Sequence, residues 1–300
     1  MPILRIIKND TKINFMRIKK ITLFISAILF LFSLSLIFFK GLNLGIDFTG
    51  GTLIEARFKE NIDLNNLRTK MNKLDLGEVQ LQTIGNENDI IFRVQDKKNN
   101  QAKTIEIIKK SLSDESVDYR RTEFVGPKVG GELVEAGIIA VIFSLIGILI
   151  YIWVRFQWNF ALGAIIALVQ DVILTLGFFS ILQFEFNLAT VAAVLTIAGY
   201  SINDTVVIYD RIRESMRKYK QITFDEVINL SLNGTLSRTL MTSLTTLLAL
   251  IALFIFGGIV ISSFIVALIW GVFIGTYSSL YIASPLLTYL KSDNRQSLKE

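Results

Sequence analysis

The chain contains no cysteine and no histidine. Disulfides, metal sites built on thiolate or imidazole, and Ser-His or Cys-His nucleophilic catalysis are therefore excluded. A glycine-rich loop ending in Gly-Lys-Ser or Gly-Lys-Thr, the cradle that nucleotide phosphates need, is absent too. No cofactor is expected, no catalytic constellation is visible, and any work must draw on an energy source other than a nucleotide held by this chain. Charge is missing over long stretches as well. Ile21–Phe39 and Ala136–Val154 carry none, Phe160–Phe184 carries only Asp171, Phe186–Tyr209 only Asp204, and Thr239–Leu290 none.

What fills those stretches is apolar: 52% of the residues are hydrophobic and the mean hydropathy is +0.52. A membrane-spanning helix takes about 20 such residues. The last run would make a rod of roughly 78 Å at ~1.5 Å per residue, against a hydrocarbon core of ~30 Å. It must fold back, and Phe256-Gly257-Gly258 is the natural corner. The reading is a polytopic α-helical membrane protein with six transmembrane helices. A basic leader (1–20) precedes the first helix (21–39). A five-helix bundle (133–290) has spans at about 134–154, 160–182, 187–209, 239–256 and 262–284, and a short tail (291–300) follows. The first run is longer than a signal-peptide core and has no small-residue cleavage site after it, so it reads as an uncleaved anchor.

Lys and Arg set the orientation. Arg5, Lys8, Lys12, Arg17, Lys19 and Lys20 lie in the leader, and Arg155 follows the second span. Arg211, Arg213, Arg217, Lys218 and Lys220 follow the fourth, and Lys291, Arg295 and Lys299 lie in the tail. The turns at Gln183–Asn187 and Gly257–Ser263 have none. Basic residues thus fall on every second loop, which predicts cytoplasmic termini and an extracytoplasmic segment from Lys40 to Glu132. Positive-inside topology accounts for the basic residues, so no nucleic-acid partner is expected; membrane lipid is.

The outer segment (40–132) shows alternating polarity at Leu53–Phe58, Glu78–Ile84, Asp89–Gln95 and Val117–Phe124. The two middle runs are joined by a turn at Gly85-Asn86-Glu87-Asn88. Helical spacing recurs at Leu64, Leu67, Met71 and Leu74, and at Ala102, Ile105, Ile108 and Leu112. The expected order is β-α-β-β-α-β, a small α+β ferredoxin-like domain, suited to a binding or lever role.

Ionisable residues inside spans are costly and mark function. Asp171 lies near the middle of its span with no obvious partner in this chain. Asp204 and Arg238 fall at similar depth on antiparallel spans and could pair as a proton-controlled latch, since a carboxyl can change its charge in a low-dielectric site and Arg cannot. The pair could also be a structural one that only fixes helix register, and Arg238 taken alone could be a positive-inside residue snorkelling at the membrane face. Ser201, Asn203, Thr205, Thr242 and Thr245 add polar groups nearby, and Gly199, Gly271 and Gly275 permit close helix approach. Thr223-x-x-Glu226 is a capping box, expected to open a short interfacial helix. These residues alone leave open half of an RND-type small-molecule or lipid exporter, and a passive membrane scaffold.

Four segments carry a resemblance. Gly45-Ile46-Asp47-Phe48-Thr49-Gly50-Gly51 follows the first span, and Val125-Gly126-Pro127-Lys128-Val129-Gly130 precedes the second. Ala198-Gly199-Tyr200-Ser201-Ile202-Asn203-Asp204-Thr205-Val206-Val207, leading to Asp210-Arg211-Ile212-Arg213-Glu214, lies in the fourth. Ser237-Arg238-Thr239-Leu240-Met241-Thr242-Ser243 opens the fifth. Together they resemble the SecF branch of the SecD/SecF protein-export family over nearly the whole chain. The resemblance implies a subunit in the bacterial cytoplasmic (inner) membrane that joins SecD in a twelve-span, RND-related complex beside the SecYEG channel. There it would use the proton-motive force to assist preproteins after SecA-driven entry. It also implies that Asp204 and Arg238 take part in proton conduction together with an Asp of SecD. The outer domain would then be levered through its two connections, with Gly45, Asp47, Gly50, Gly51, Gly126, Pro127 and Gly130 at the bends.

Overall fold

A computed structural model describes residues 11–59, 63–74, 76–84, 86–96, 101–113, 115–258 and 261–290. Arg5 and Lys8 of the leader, Gly85 of the expected hairpin turn, and Lys291, Arg295 and Lys299 of the tail lie outside the described residues. The chain divides into two compact units. A helical unit comprises 1–43, 140–184 and 189–300, and a sheet unit comprises 44–139 with 185–188.

The long helices follow the apolar runs. They are α1 (Lys19–Phe39), α5 (Pro127–Arg155), α6 (Trp158–Leu182), α7 (Leu188–Lys218), α8 (Phe224–Phe256) and α9 (Ser262–Ser278). The last continues through a π segment (Ser279–Ala283) into α10 (Ser284–Tyr289). Among the described residues these make six helical stretches long and apolar enough to cross a membrane. Pro127 begins α5, where a missing N–H costs nothing. Gln183, in the left-handed region at φ 55°, ends α6. Thr223 and Glu226 form the capping box in both directions, but the helix it opens is not a short interfacial one. It runs unbroken for 33 residues, because the interior holds no proline, and the single Gly234 costs only about 1 kcal/mol.

Within the helical unit α6 is enclosed, while α1, α5 and α8 present mostly apolar side chains outward. Serines and glycines bring α1 against α6: Gln170 Nε2 donates to Ser26 O at 3.3 Å and Ser180 Oγ to Leu36 O at 3.0 Å. A Cβ on Gly177 would strike Ser33. Tyr209 anchors one end of the helical core. It stacks edge-on against Phe160 at 5.1 Å and donates to Ala283 O at 3.1 Å, with Ile208, Ile212, Val227, Leu232 and Leu287 around it.

The sheet unit contains a short α2 (Ile46–Thr49), then β1 (Gly51–Phe58), α3 (Leu64–Asn72), β2 (Gly77–Ile84), β3 (Asn86–Asp96), α4 (Gln101–Ser111) and β4 (Val117–Val125). The strand order is β2-β3-β1-β4, every pair antiparallel. Alternate residues of β1 and β3 form one core: Ile54, Ala56, Phe58, Ile90, Phe92 and Val94 against Leu67, Met71, Ile108 and Leu112. Gly50 and Gly51 enter β1 at φ 69° and 122°, a backbone that a side chain resists.

The other face of β1 is also covered and carries charge. Arg57 and Asp89, directly opposite across the strands, form a two-bonded pair at 2.5 Å. That hydrogen bond holds the Asp89 carboxyl below the usual carboxylate range. Glu55 is 3% exposed, and burial pushes its carboxyl up, with Arg121 and Arg120 opposing.

Candidate functional site

Two carboxyls stand in the apolar interior of the helical unit. Asp171, in the middle of α6, is 0% exposed. Its Oδ2 accepts from Ser201 Oγ on α7 at 2.6 Å and from Ser278 Oγ at the end of α9 at 2.8 Å. Its Oδ1 is buried and has no hydrogen-bond partner among the described residues. Asp204, one turn beyond Ser201 on α7, is half-buried. Its Oδ1 accepts from Thr239 Oγ1 on α8 at 2.7 Å and its Oδ2 from Ser279 Oγ at 2.9 Å. The consecutive residues Ser278 and Ser279 therefore serve the two carboxyls, one each.

Local backbone explains how adjacent hydroxyls reach different helices. Successive residues of an α-helix lie about 100° apart, so neighbouring side chains face different partners. Ser279 also begins the π segment, a rare form associated with functional positions. Ser284 Oγ donates back to Ser279 O at 2.8 Å across it. Close approach of α9 to α7 completes the arrangement: a Cβ on Gly275 would lie 3.0 Å from Ser201 Cβ, and one on Gly271 only 2.2 Å from an Ile197 carbon. A second hydroxyl group sits beside the first. Ser243 Oγ lies 2.7 Å from Thr276 Oγ1 and accepts from Tyr200 Oη at 3.3 Å.

The expected residues separate into two sets. Asp171, Asp204 and Ser201 come together, and Thr205, buried, donates to Ser201 O at 3.1 Å. Asn203, Arg238, Thr242 and Thr245 are exposed. Thr242 and Thr245 spend their hydroxyls on carbonyls of their own helix. Among the described residues no ion pair joins Asp204 to Arg238. Thr239 faces Asp204, and its predecessor Arg238, about 100° round the same helix, is turned outward. Similar depth did not amount to contact. Asp171 in turn has the hydroxyl partners that its surroundings in the sequence left unidentified. Of the glycine and proline positions, Gly130 is no open hinge. A Cβ there would meet the carbonyl of Phe48 at 3.1 Å and the amide of Gly50 at 3.2 Å. Gly126 O accepts from Gly130 N at 3.0 Å as α5 begins.

Thr239, Ser278 and Ser279 were not singled out by reading the sequence. Their one signal was the density of hydroxyls, Thr276, Ser278, Ser279 and Ser284, inside a run without charge.

Fold and site define a multi-pass membrane protein with two carboxyls held by hydroxyls inside its helical bundle. Residues 104–293 match the family model described as protein export membrane protein SecD/SecF, C-terminal, and residues 35–62 match the SecD/SecF GG motif. The protein translocase subunits SecF of Rickettsia rickettsii and Rickettsia bellii are each 50% identical over 95% of this chain, covering 94% and 95% of those relatives. A crystal structure of SecDF from Thermus thermophilus, described as a translocon-associated membrane protein, superposes on 95% of this chain with a TM-score of 0.87 and 36% identity. A second SecDF structure, in a super-membrane-facing form, gives 0.68 and 35% over 96%. This chain spans 39% and 40% of the length of those two chains. It belongs to the SecD/SecF family, on the SecF branch of protein translocase subunits.

Proposed function

We propose that this chain works with a SecD-type partner in the bacterial inner membrane, both termini cytoplasmic, to assist preprotein export with the proton-motive force. SecA would drive entry into the SecYEG channel, and this complex would act on the chain emerging beyond it. The sheet unit, read as a ferredoxin-like domain outside the cytoplasm, is the part that moves. Asp204 and Asp171 are the groups that take up and release protons.

The observation that carries this reading is the placement of both carboxyls on one pair of adjacent hydroxyls, Ser278 and Ser279. Hydroxyls donate and accept, so they suit either protonation state of an acid. Among the described residues no fixed cation is paired with either carboxyl. A proton crossing ~100 mV releases about 2.3 kcal/mol, and each pH unit adds ~1.4 kcal/mol, enough to bias a two-state repacking of helices.

Arg238 fits this reading as a group aimed outward. With Thr242 and Thr245 it forms an exposed stripe on α8, and Thr196, Gly199 and Asn203 form another on α7. Exposed Arg and Asn are expensive against lipid, which supports a covering partner there. The partner would bring its own acid to Arg238.

The test is preprotein translocation in proteoliposomes holding this chain and its partner, with and without an imposed proton gradient. Asp204→Asn keeps the size of the side chain and removes its titration. Gradient stimulation should fall to background, while ATP-driven entry and assembly with the partner persist. Full stimulation with Asp204→Asn refutes the reading and leaves a scaffold.

A further inference from the structure

The segment Leu44–Thr49 of the sheet unit grips the turn that precedes α7. Leu44 forms a parallel bridge with Phe186, and Gly45 N–H donates to Phe186 O at 2.8 Å. The rings of Phe48 and Phe186 stack with centroids 6.0 Å apart. Arg93 of β3 pairs with Glu185 at 2.8 Å, the two side chains only 10% and 15% exposed. The fit is tight: a Cβ on Gly45 would come within 2.7 Å of Glu185 Oε1. Finally, Asp47 Oδ2 accepts the N–H of Leu188 at 2.9 Å from 141 positions away in the chain.

Leu188 is the first residue of α7. The N–H groups of a helix's first turn have no acceptor within the helix, and a carboxylate there also faces the positive end of the helix dipole. Caps normally come from the residue just before a helix. Here one arrives from a remote segment of the sheet unit. Ser201 and Asp204 lie further along the same unbroken helix.

We propose that Asp47 is a positioning residue: its carboxylate caps the start of α7, and with the Arg93–Glu185 pair it fixes the origin of the helix that carries Ser201 and Asp204. The role belongs to the acceptor oxygen and not to the negative charge. Asn caps helices as well as Asp does, and Ala does not. Asp47→Ala and Asp47→Asn therefore separate this role from any proton-handling role of the carboxyl.

The measurement is amide hydrogen exchange over 186–192 in the full chain with its partner, alongside gradient-stimulated translocation by the same preparation. Only the translocation arm rests on the proton-driven reading above. Asp47→Ala should speed exchange at Leu188 about three- to tenfold, the scale of a lost cap, and should lower gradient stimulation with ATP-driven entry retained. Asp47→Asn should restore both. Arg93→Glu and Glu185→Arg should each loosen the same turn, and together should tighten it. Unchanged exchange in Asp47→Ala overturns the cap. Equal damage from Asp47→Asn overturns it in favour of a role for charge. Faster exchange with full stimulation overturns the positioning role. Loss of stimulation in Asp204→Asn together with no effect of Asp47→Ala would sink this inference and leave the proton reading standing.

Discussion

At the scale of single residues, burial and partners separate acids that sit close in the fold but answer to different forces. Asp171 is fully enclosed, with one oxygen on two hydroxyls and the other without a hydrogen-bond partner among the described residues. Asp171→Asn should keep one acceptor for Ser201 and Ser278 and place an amide at the empty position, so the protein should assemble with impaired gradient stimulation. Asp171→Leu takes the acid away from the Ser201 hydroxyl, at a cost of about 1–3 kcal/mol, leaves Ser278 to the carbonyl of Gly275, and should lower the yield of folded complex as well. Wild-type behaviour in both variants would make Asp171 incidental. In the sheet unit, Glu55 and Asp89 give opposite pH limbs. The Asp89 carboxyl is depressed by Arg57, so its contribution is present above the ordinary Asp range and is lost as pH falls through the lowered value. The Glu55 carboxyl is raised by burial, so the folded state is favoured while Glu55 is protonated, and that advantage is lost as pH rises through the raised value. Glu55→Gln should therefore raise the melting temperature of the sheet unit at pH 7 and leave it unchanged near pH 4. A lower melting temperature at pH 7 would show that the Arg121 and Arg120 attractions outweigh burial.

At the scale of elements, small residues decide which helices touch. A methyl on Gly271 would lie 2.2 Å from a carbon of the buried Ile197, whereas one on Gly147 meets nothing. Gly271→Ala should cost about 1–3 kcal/mol, the range for overpacking, and should impair translocation by pushing α9 off α7. Gly147→Ala should be neutral in thermal stability of the purified complex. What the sequence disclosed at this scale depends on the kind of signal. Six apolar helices were legible because a charge-free run long enough to span a bilayer has few alternatives. The strands were legible from alternation such as Ile54, Ala56 and Phe58. Asp171 and Asp204 stood out because carboxyls are rare among apolar neighbours. Thr239, Ser278 and Ser279 did not, since Ser and Thr are common in helices and often bond their own backbone. Ser278 and Ser279 do that too, to Gly275 O and Thr276 O. That Asp204 meets Thr239 and Ser279 was not legible either, because depth along a helix can be counted from sequence, and rotation about its axis cannot.

At the scale of the whole molecule, the absence of cysteine makes topology directly testable. A single cysteine at Asn86 should react with an impermeant thiol reagent in intact cells, and one at Lys218 should react only after the membrane is opened. The reverse pattern would invert the proposed orientation and move the sheet unit to the cytoplasmic side. Labelling of both positions in intact cells would point to a damaged membrane, which a cytosolic marker protein would report.

The π segment at Ser279–Ala283 has a consequence for how this chain tolerates insertion and deletion. Such a turn holds one residue more than an α turn, so it behaves as a single-residue insertion accommodated without a break. The residues up to its start, Ser278 and Ser279, keep one phase. The residues from its end onward, Ala283 under Tyr209 and Leu287 in the core, keep another. Removing one residue within the segment would restore regular winding and turn α10 by roughly 100°, carrying Leu287 out of the core while both carboxyls kept their serines. The two halves of the last span are thus in frame with different neighbours, and the extra residue is the splice that lets one helix serve both.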